Sequence, residues 1–151
     1  MRVFRLCKTI YSASVLGGEG GLVADGRWHS AGRRIVYTAT SEALAVLELR
    51  VHLGRFVPTA GFTMHTLELP DALLEVAPAK DLPAGWNALP ATGASQRFGD
   101  AWLAAAASLA LRVPSIHSRS DGNVLLNPAH AAIARVKVLS REPYAFDARL
   151  F

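Results

Sequence analysis

The stretch from Arg34 to Gly54 constrains this chain more than any other part of it. Arg34-Ile35-Val36-Tyr37-Thr38-Ala39 is dominated by β-branched and aromatic residues and predicts a strand. Thr40 or Ser41 then supplies a helix cap, Glu42 suits the first turn, and the helix runs to Leu53 before Gly54 stops it. A strand feeding directly into a capped helix excludes an all-helical chain and an all-strand one. Val3–Cys7 and Phe62–Leu69 add strands, and Ile133–Leu139 reads as a half-solvated one. Ser95–Arg112, alanine-rich, predicts the longest helix, stopped before Val113-Pro114. Val113–His117 is a short extended segment, Ser118–Asn123 a turn, and Tyr144–Phe151 a possible further edge strand. The proline-rich stretch Leu73–Pro90 reads as an irregular connection. With no repeat and no linker, the expectation is one α+β domain over residues 1–151, a mixed or antiparallel sheet flanked by helices.

Composition narrows the function classes. Apolar residues make up 51% of the chain and charged ones 19%, which excludes a disordered chain. The one cysteine, Cys7, excludes a disulfide framework and a multi-thiolate zinc site, and fits a reducing, cytoplasmic setting. No stretch is apolar over the roughly 20 residues a membrane helix needs. The net charge is +4, but the 16 Lys and Arg are scattered, so no direct contact with nucleic acid is expected. A non-catalytic nucleic-acid module remains the competing class, and it would require affinity that falls steeply with salt. The glycine run Gly17–Gly21 lacks the spacing of a dinucleotide loop. No Gly-x-Ser-x-Gly elbow surrounds Ser115, so a serine hydrolase is unsupported.

Glu48 is the residue that asks for an explanation. Its helix is apolar almost all round, with Leu44, Leu47 and Val51 on one face and Val46, Leu49 and Leu53 on another, which predicts a buried helix. A carboxylate there must be paired or must face a cleft, because burying it alone costs several kcal/mol. Two readings stay open: a core ion pair with an arginine such as Arg27, or a cleft-facing acid. His52, one turn on, gives Glu48 no metal-ligand spacing. Arg27 sits between Gly26 and Trp28 in a sharp turn, and arginine grips phosphate through paired hydrogen bonds. Tyr37 is either a core tyrosine or a stacking surface. Asn123 is a polar residue close to apolar ones, Asn127 and His130 suit turn capping, and Cys7 reads as buried rather than nucleophilic.

In order along the chain, GEGGLVADGRWHSAGRRIVYTATSEALAVLELRVHL and RFGDAWLAAAASLALRVPSIHSRSDGNVLLNPAH resemble the RES domain family from about Arg5 to the end. The arginine, glutamate and serine that name that family fall on Arg27, Glu48 and Ser115, and Tyr37 matches a further position. Ser115, directly after Val113-Pro114, fits better than Ser118 or Ser120. His29 departs from the asparagine usual in the family, and little effect is expected of it. The resemblance implies an ADP-ribosyltransferase-like fold and the toxin of a two-gene module, neutralised by an Xre-type helix-turn-helix antitoxin. It implies an NAD-consuming enzyme, with no cofactor beyond that substrate, no metal, and inorganic phosphate or water as acceptor. The alternative is transfer of ADP-ribose to a host protein. On this pattern Glu48 stabilises an oxocarbenium-like state, Arg27 holds the pyrophosphate or the attacking phosphate, and Tyr37 stacks on the nicotinamide. Ser115 donates to a phosphate or the carboxamide, and Asn123 joins the NAD contacts. Arg33 and Arg34 are further candidates for the site's loops.

Overall fold

The computed structural model describes residues 1–54 and 61–151 as an α+β fold. In chain order the main elements are β1 (Arg2–Lys8), α1 (Gly20–Val23), β2 (Val36–Ala39), α2 (Glu42–Leu53), β3 (Phe62–Glu68), β4 (Leu74–Val76), α3 (Gly93–Ala105), β5 (Ala110–Pro114), β6 (Gly122–Leu126) and β7 (Lys137–Tyr144). The strands form one mixed sheet in the order β4-β5-β6-β2-β1-β3-β7. The β4–β5 pair is parallel and the other neighbours are antiparallel.

The joint between β1 and β2 is thin. Where β1 and β3 register seven residue pairs, β1 and β2 register only Phe4 with Ala39. The Arg5 guanidinium reaches across instead, its Nη1 donating to the Tyr37 carbonyl at 2.8 Å. The sheet is therefore two well-knit halves that part from one another along one seam.

Each half has its own helix. Ser41 settles the cap of α2, its hydroxyl accepting from the Leu44 N–H, and Gly54 ends the helix with φ of +59°, which favours glycine. Leu44 and Ala45 of α2 pack against Leu6, Ala39 and Met64. In α3 the buried stripe Ser95, Gly99, Trp102 and Leu103 follows helical spacing. Trp102 and Leu103 pack on Leu111, Val113 and Leu125 of β5 and β6.

Several sequence expectations shift. The predicted helix Ser95–Arg112 stops at Ala105, because Ala106 turns left-handed and Ala110–Leu111, wholly buried, are claimed by a central strand. Tertiary pairing overrides alanine's helix preference there. β6 begins inside the predicted turn, at Gly122. Ile133–Arg135 is a 3₁₀ turn, so the last strand starts later and runs to Tyr144, where a further edge strand had been expected to begin. The irregular connection contains the short β4. Nor is α2 buried all round, since Leu47 and Val51 are 40% and 50% exposed.

Gly99 lets α3 rest on the Trp28 backbone, because a Cβ there would lie 1.9 Å from the Trp28 carbonyl oxygen. Gly99→Ala is expected to cost roughly 1–3 kcal/mol. Thermal melts should show a Tm lowered by about 2–4 °C per kcal/mol.

Candidate active site

The seam opens into a cleft of about 830 Å³, within the size range of small-molecule sites. Its walls include Arg5, Arg27, Tyr37, Glu48, His117 and Asn123.

Glu48 projects from the middle of α2 and faces this cleft, half-buried. Its Oε1 accepts from the Ser115 hydroxyl at 2.9 Å and from Asn123 Nδ2 at 2.8 Å. Ser115 lies one residue beyond β5 and Asn123 lies on β6, so three elements converge on one oxygen. Among the described residues Oε2 accepts no hydrogen bond, and His117 Nε2 lies 3.9 Å from it. The carboxylate is thus oriented by neutral donors, with one oxygen left for a ligand. Of the two readings open for Glu48, the structure favours the cleft-facing acid: no direct ion pair joins it to Arg27.

Arg27 is held in another way. Its Nη1 donates to the carbonyls of Trp86 (2.8 Å) and Ala88 (3.0 Å), so the irregular stretch before α3 serves as its cradle. Trp28, 1% exposed, stacks on Trp86 at 5.9 Å and anchors the turn. Burial lowers the Arg27 pKa, and Glu48 and Tyr37 pull it back up. With Nη1 engaged, Nε and Nη2 have no hydrogen-bond partner among the described residues and can grip an anion.

Tyr37 turns its hydroxyl toward His29 Nδ1 (2.8 Å) and accepts from the Trp28 N–H (3.2 Å). Burial raises the phenol's pKa far enough to keep it neutral. Ser115 is nearly buried and stands behind Glu48. Its one proton goes to the carboxylate while its oxygen accepts from the His117 N–H. Arg33 and Arg34 are occupied outside the cleft wall, with Asp100 and Glu19 at 3.0 Å each. Asn127 is buried and caps, its amide donating to the Leu103 carbonyl and its Oδ1 accepting from the Ala129 N–H. Cys7 is buried, and burial pushes its thiol pKa up against the pull of Arg5.

Three residues of the site escaped the sequence reading. Arg5 is sunk in the seam, and its Nε is shielded from solvent without a partner. Burial lowers its pKa, and no carboxylate pairs with it among the described residues. An arginine between Phe4 and Leu6, in the otherwise apolar run Val3–Cys7, was the available signal. His117 had none, since only the fold brings it to Glu48. His29, from which little was expected, is 4% exposed and bonded to Tyr37. Among the described residues no three His, Cys, Asp or Glu cluster as metal ligands, and no helix is long and apolar enough to cross a membrane.

Comparisons with known proteins identify the family. A family model described as RES domain matches residues 2–147. The chain is 32% identical over 151 residues to Toxin Res of Photorhabdus laumondii, covering 99% of this chain and 97% of that one. It is 37% identical over 143 residues to the Prs ADP-ribosylating toxin of a Sphingobium species, covering 93% and 89%. In fold it is similar to a chain of the Mycobacterium tuberculosis MbcT–MbcA toxin–antitoxin complex. There the TM-score is 0.70 at 16% identity, over 95% of this chain and 84% of that one.

Asp100 ties the Arg27 turn to α3, accepting from the Ser30 N–H (3.0 Å) and hydroxyl (2.7 Å). Burial pushes its pKa up, but the Ser30 bonds and Arg33 outweigh that and leave it below the usual carboxylate range. A depressed folded pKa stabilises fully above the unfolded value, and that stability is lost as pH falls through the folded one. Asp100→Asn is expected to cost about 1–3 kcal/mol at neutral pH. In urea titrations the difference from the parent should shrink below about pH 4.

Proposed function

Since the chain belongs to the RES domain family, we propose that it is the toxin of a toxin–antitoxin pair and that it cleaves NAD at the nicotinamide–ribose bond. The observation that carries this reading is Glu48: a carboxylate oriented by Ser115 and Asn123, one oxygen bare, in a cleft that also holds Arg5 and Arg27.

The chemistry follows from the groups. Breaking the C–N glycosidic bond leaves positive charge on the ribose, in an oxocarbenium-like state. The electron pair departs with neutral nicotinamide. A carboxylate beside the anomeric carbon stabilises that charge, and its bare Oε2 is the oxygen to do so. Neutral donors on Oε1 suit this task, because a bonded guanidinium would cancel the charge the reaction needs. Arg27 and Arg5 supply guanidinium groups for the two phosphates. The Tyr37 ring offers a face for nicotinamide. Ser115 acts through Glu48, and Asn123 keeps its Oδ1 and one N–H for the ribose.

The acceptor completes the balance. Water gives ADP-ribose and a proton, and inorganic phosphate gives ADP-ribose phosphate. The bare Oε2 is placed to take the proton of the incoming group. A protein side chain as acceptor is the second reading, favoured by the 37% identity to a relative named an ADP-ribosylating toxin. An antitoxin partner, of helix-turn-helix type, is part of the proposal, as is action in the cytoplasm.

Glu48→Gln keeps an oxygen for Ser115 and Asn123 but removes the charge. Nicotinamide release from NAD, followed by chromatography with and without phosphate, should fall at least about 100-fold while the thermal melt stays close to the parent's. Full activity in this variant would sink the reading. Labelled NAD with cell lysate separates the second reading, which predicts a modified protein band.

A further inference from the structure

The tyrosine of the cleft does not choose its own hydroxyl orientation. Tyr37 Oη has His29 Nδ1 at 2.8 Å and the Trp28 N–H at 3.2 Å. His29 is itself enclosed, and its Nε2 lies 2.9 Å from the Ala24 carbonyl oxygen. A carbonyl can only accept, so Nε2 carries the proton. In a neutral ring Nδ1 is then an acceptor, and Tyr37 must donate to it. The Trp28 N–H donates to the same phenolic oxygen. The hydroxyl proton is thereby committed, and a ligand reaching Oη meets a lone pair.

We propose that His29 is a positioning residue that fixes this polarity, making Tyr37 a hydrogen-bond acceptor toward the cleft. The partner it selects is a donor on the bound molecule, such as a ribose hydroxyl or a carboxamide N–H. This rests on the NAD reading for the identity of that molecule, though not for the His29–Tyr37 relay itself. Two glycines close around the relay. A Cβ at Gly26 would lie 2.8 Å from both His29 Cε1 and Tyr37 Oη, and one at Gly21 would lie 3.1 Å from His29 Nε2. The relay fits there only because both positions lack a side chain.

The relay has a pH sign. Burial holds His29 below its ordinary value, against the pull of the Ala24 carbonyl, Asp100 and Asp25. The groups facing it are Tyr37 on β2, Asp100 on α3 with its partner Arg33, and Asp25 in the preceding turn. When the ring takes a second proton, Nδ1 becomes a donor. Tyr37 must then swing its own proton away, and its acceptor becomes a donor. A ligand donor aimed at Oη loses its partner.

Asparagine at position 29 places Oδ1 on the same bond from Cγ as His Nδ1, so it can accept from Tyr37 without titrating. Leucine can do neither. The test uses the full chain with ¹⁵N-labelled histidine and ¹³C-labelled tyrosine. NMR should find His29 as the Nε2–H tautomer at neutral pH, and the Tyr37 Cζ signal should move with the His29 titration. In nicotinamide release followed from about pH 8 down to about pH 4, below histidine's ordinary range because burial holds His29 down, the parent should lose kcat/KM on the acid side. His29→Asn should keep its neutral-pH rate and lose that acid limb. His29→Leu should fall roughly three- to tenfold at every pH, the value of one neutral hydrogen bond, and should change nothing further in a Tyr37→Phe background. An Nδ1–H tautomer, a Tyr37 signal indifferent to His29, or an unchanged acid limb in His29→Asn overturns the proposal. If no form releases nicotinamide, the NAD reading fails, and the NMR titration still decides the relay.

Discussion

A guanidinium set where two strands fail to pair is the constraint on which the cleft depends. Backbone donors and acceptors in a sheet must find partners, and β1 and β2 find them through their ladder at Phe4–Ala39 alone. Arg5 supplies the missing donor to the Tyr37 carbonyl from its side chain. It can span a gap that a backbone N–H cannot, so the halves stand apart and a ligand-sized space exists between them. The same solution leaves a shielded, uncompensated positive group at the seam. An empty apolar gap would collapse, whereas a gap lined by a charge favours an anion.

The two other charged groups are held by a common logic, each pinned through neutral partners. Arg27 donates to backbone carbonyls, and Glu48 accepts from a hydroxyl and an amide. Had they bonded each other, both would be structurally satisfied and chemically inert. Held apart, each keeps its charge in a half-buried setting where charge interacts strongly. The stability this forgoes is supplied elsewhere, by the Trp28–Trp86–Phe98 cluster beneath the Arg27 turn and by α3 resting on Gly99.

What the sequence made legible was what local chemistry encodes. β2 and α2 carry their own strand composition, cap and stop, and they appear within two residues of their expected bounds. The family's residues were legible as a pattern, and the fold places Arg27, Tyr37, Glu48 and Asn123 on one cleft, with Ser115 directly behind Glu48. What stayed hidden depends on distant partners. Ala110 and Leu111 look helical until β6 and β4 are there to pair with them. β6 is five residues between turn signals, and its Val124–Leu126 are wholly buried, so no alternation betrays it. The exposed side of α2 carries leucine and valine, and no periodicity could announce a half-open helix. His29 looked like a neighbour of Arg27, and only the fold shows the Tyr37 hydroxyl across from it.

One feature of Glu48 bears on how the cleft can assemble as the chain is made. Its two donors lie 67 and 75 residues further along the sequence. A nascent chain that has emerged only through α2, β3 and α3 holds the acid with nothing to orient it. The frame around the acid is complete only when β6 zips onto β2 and β5 onto β6, bringing Asn123 and Ser115 with them.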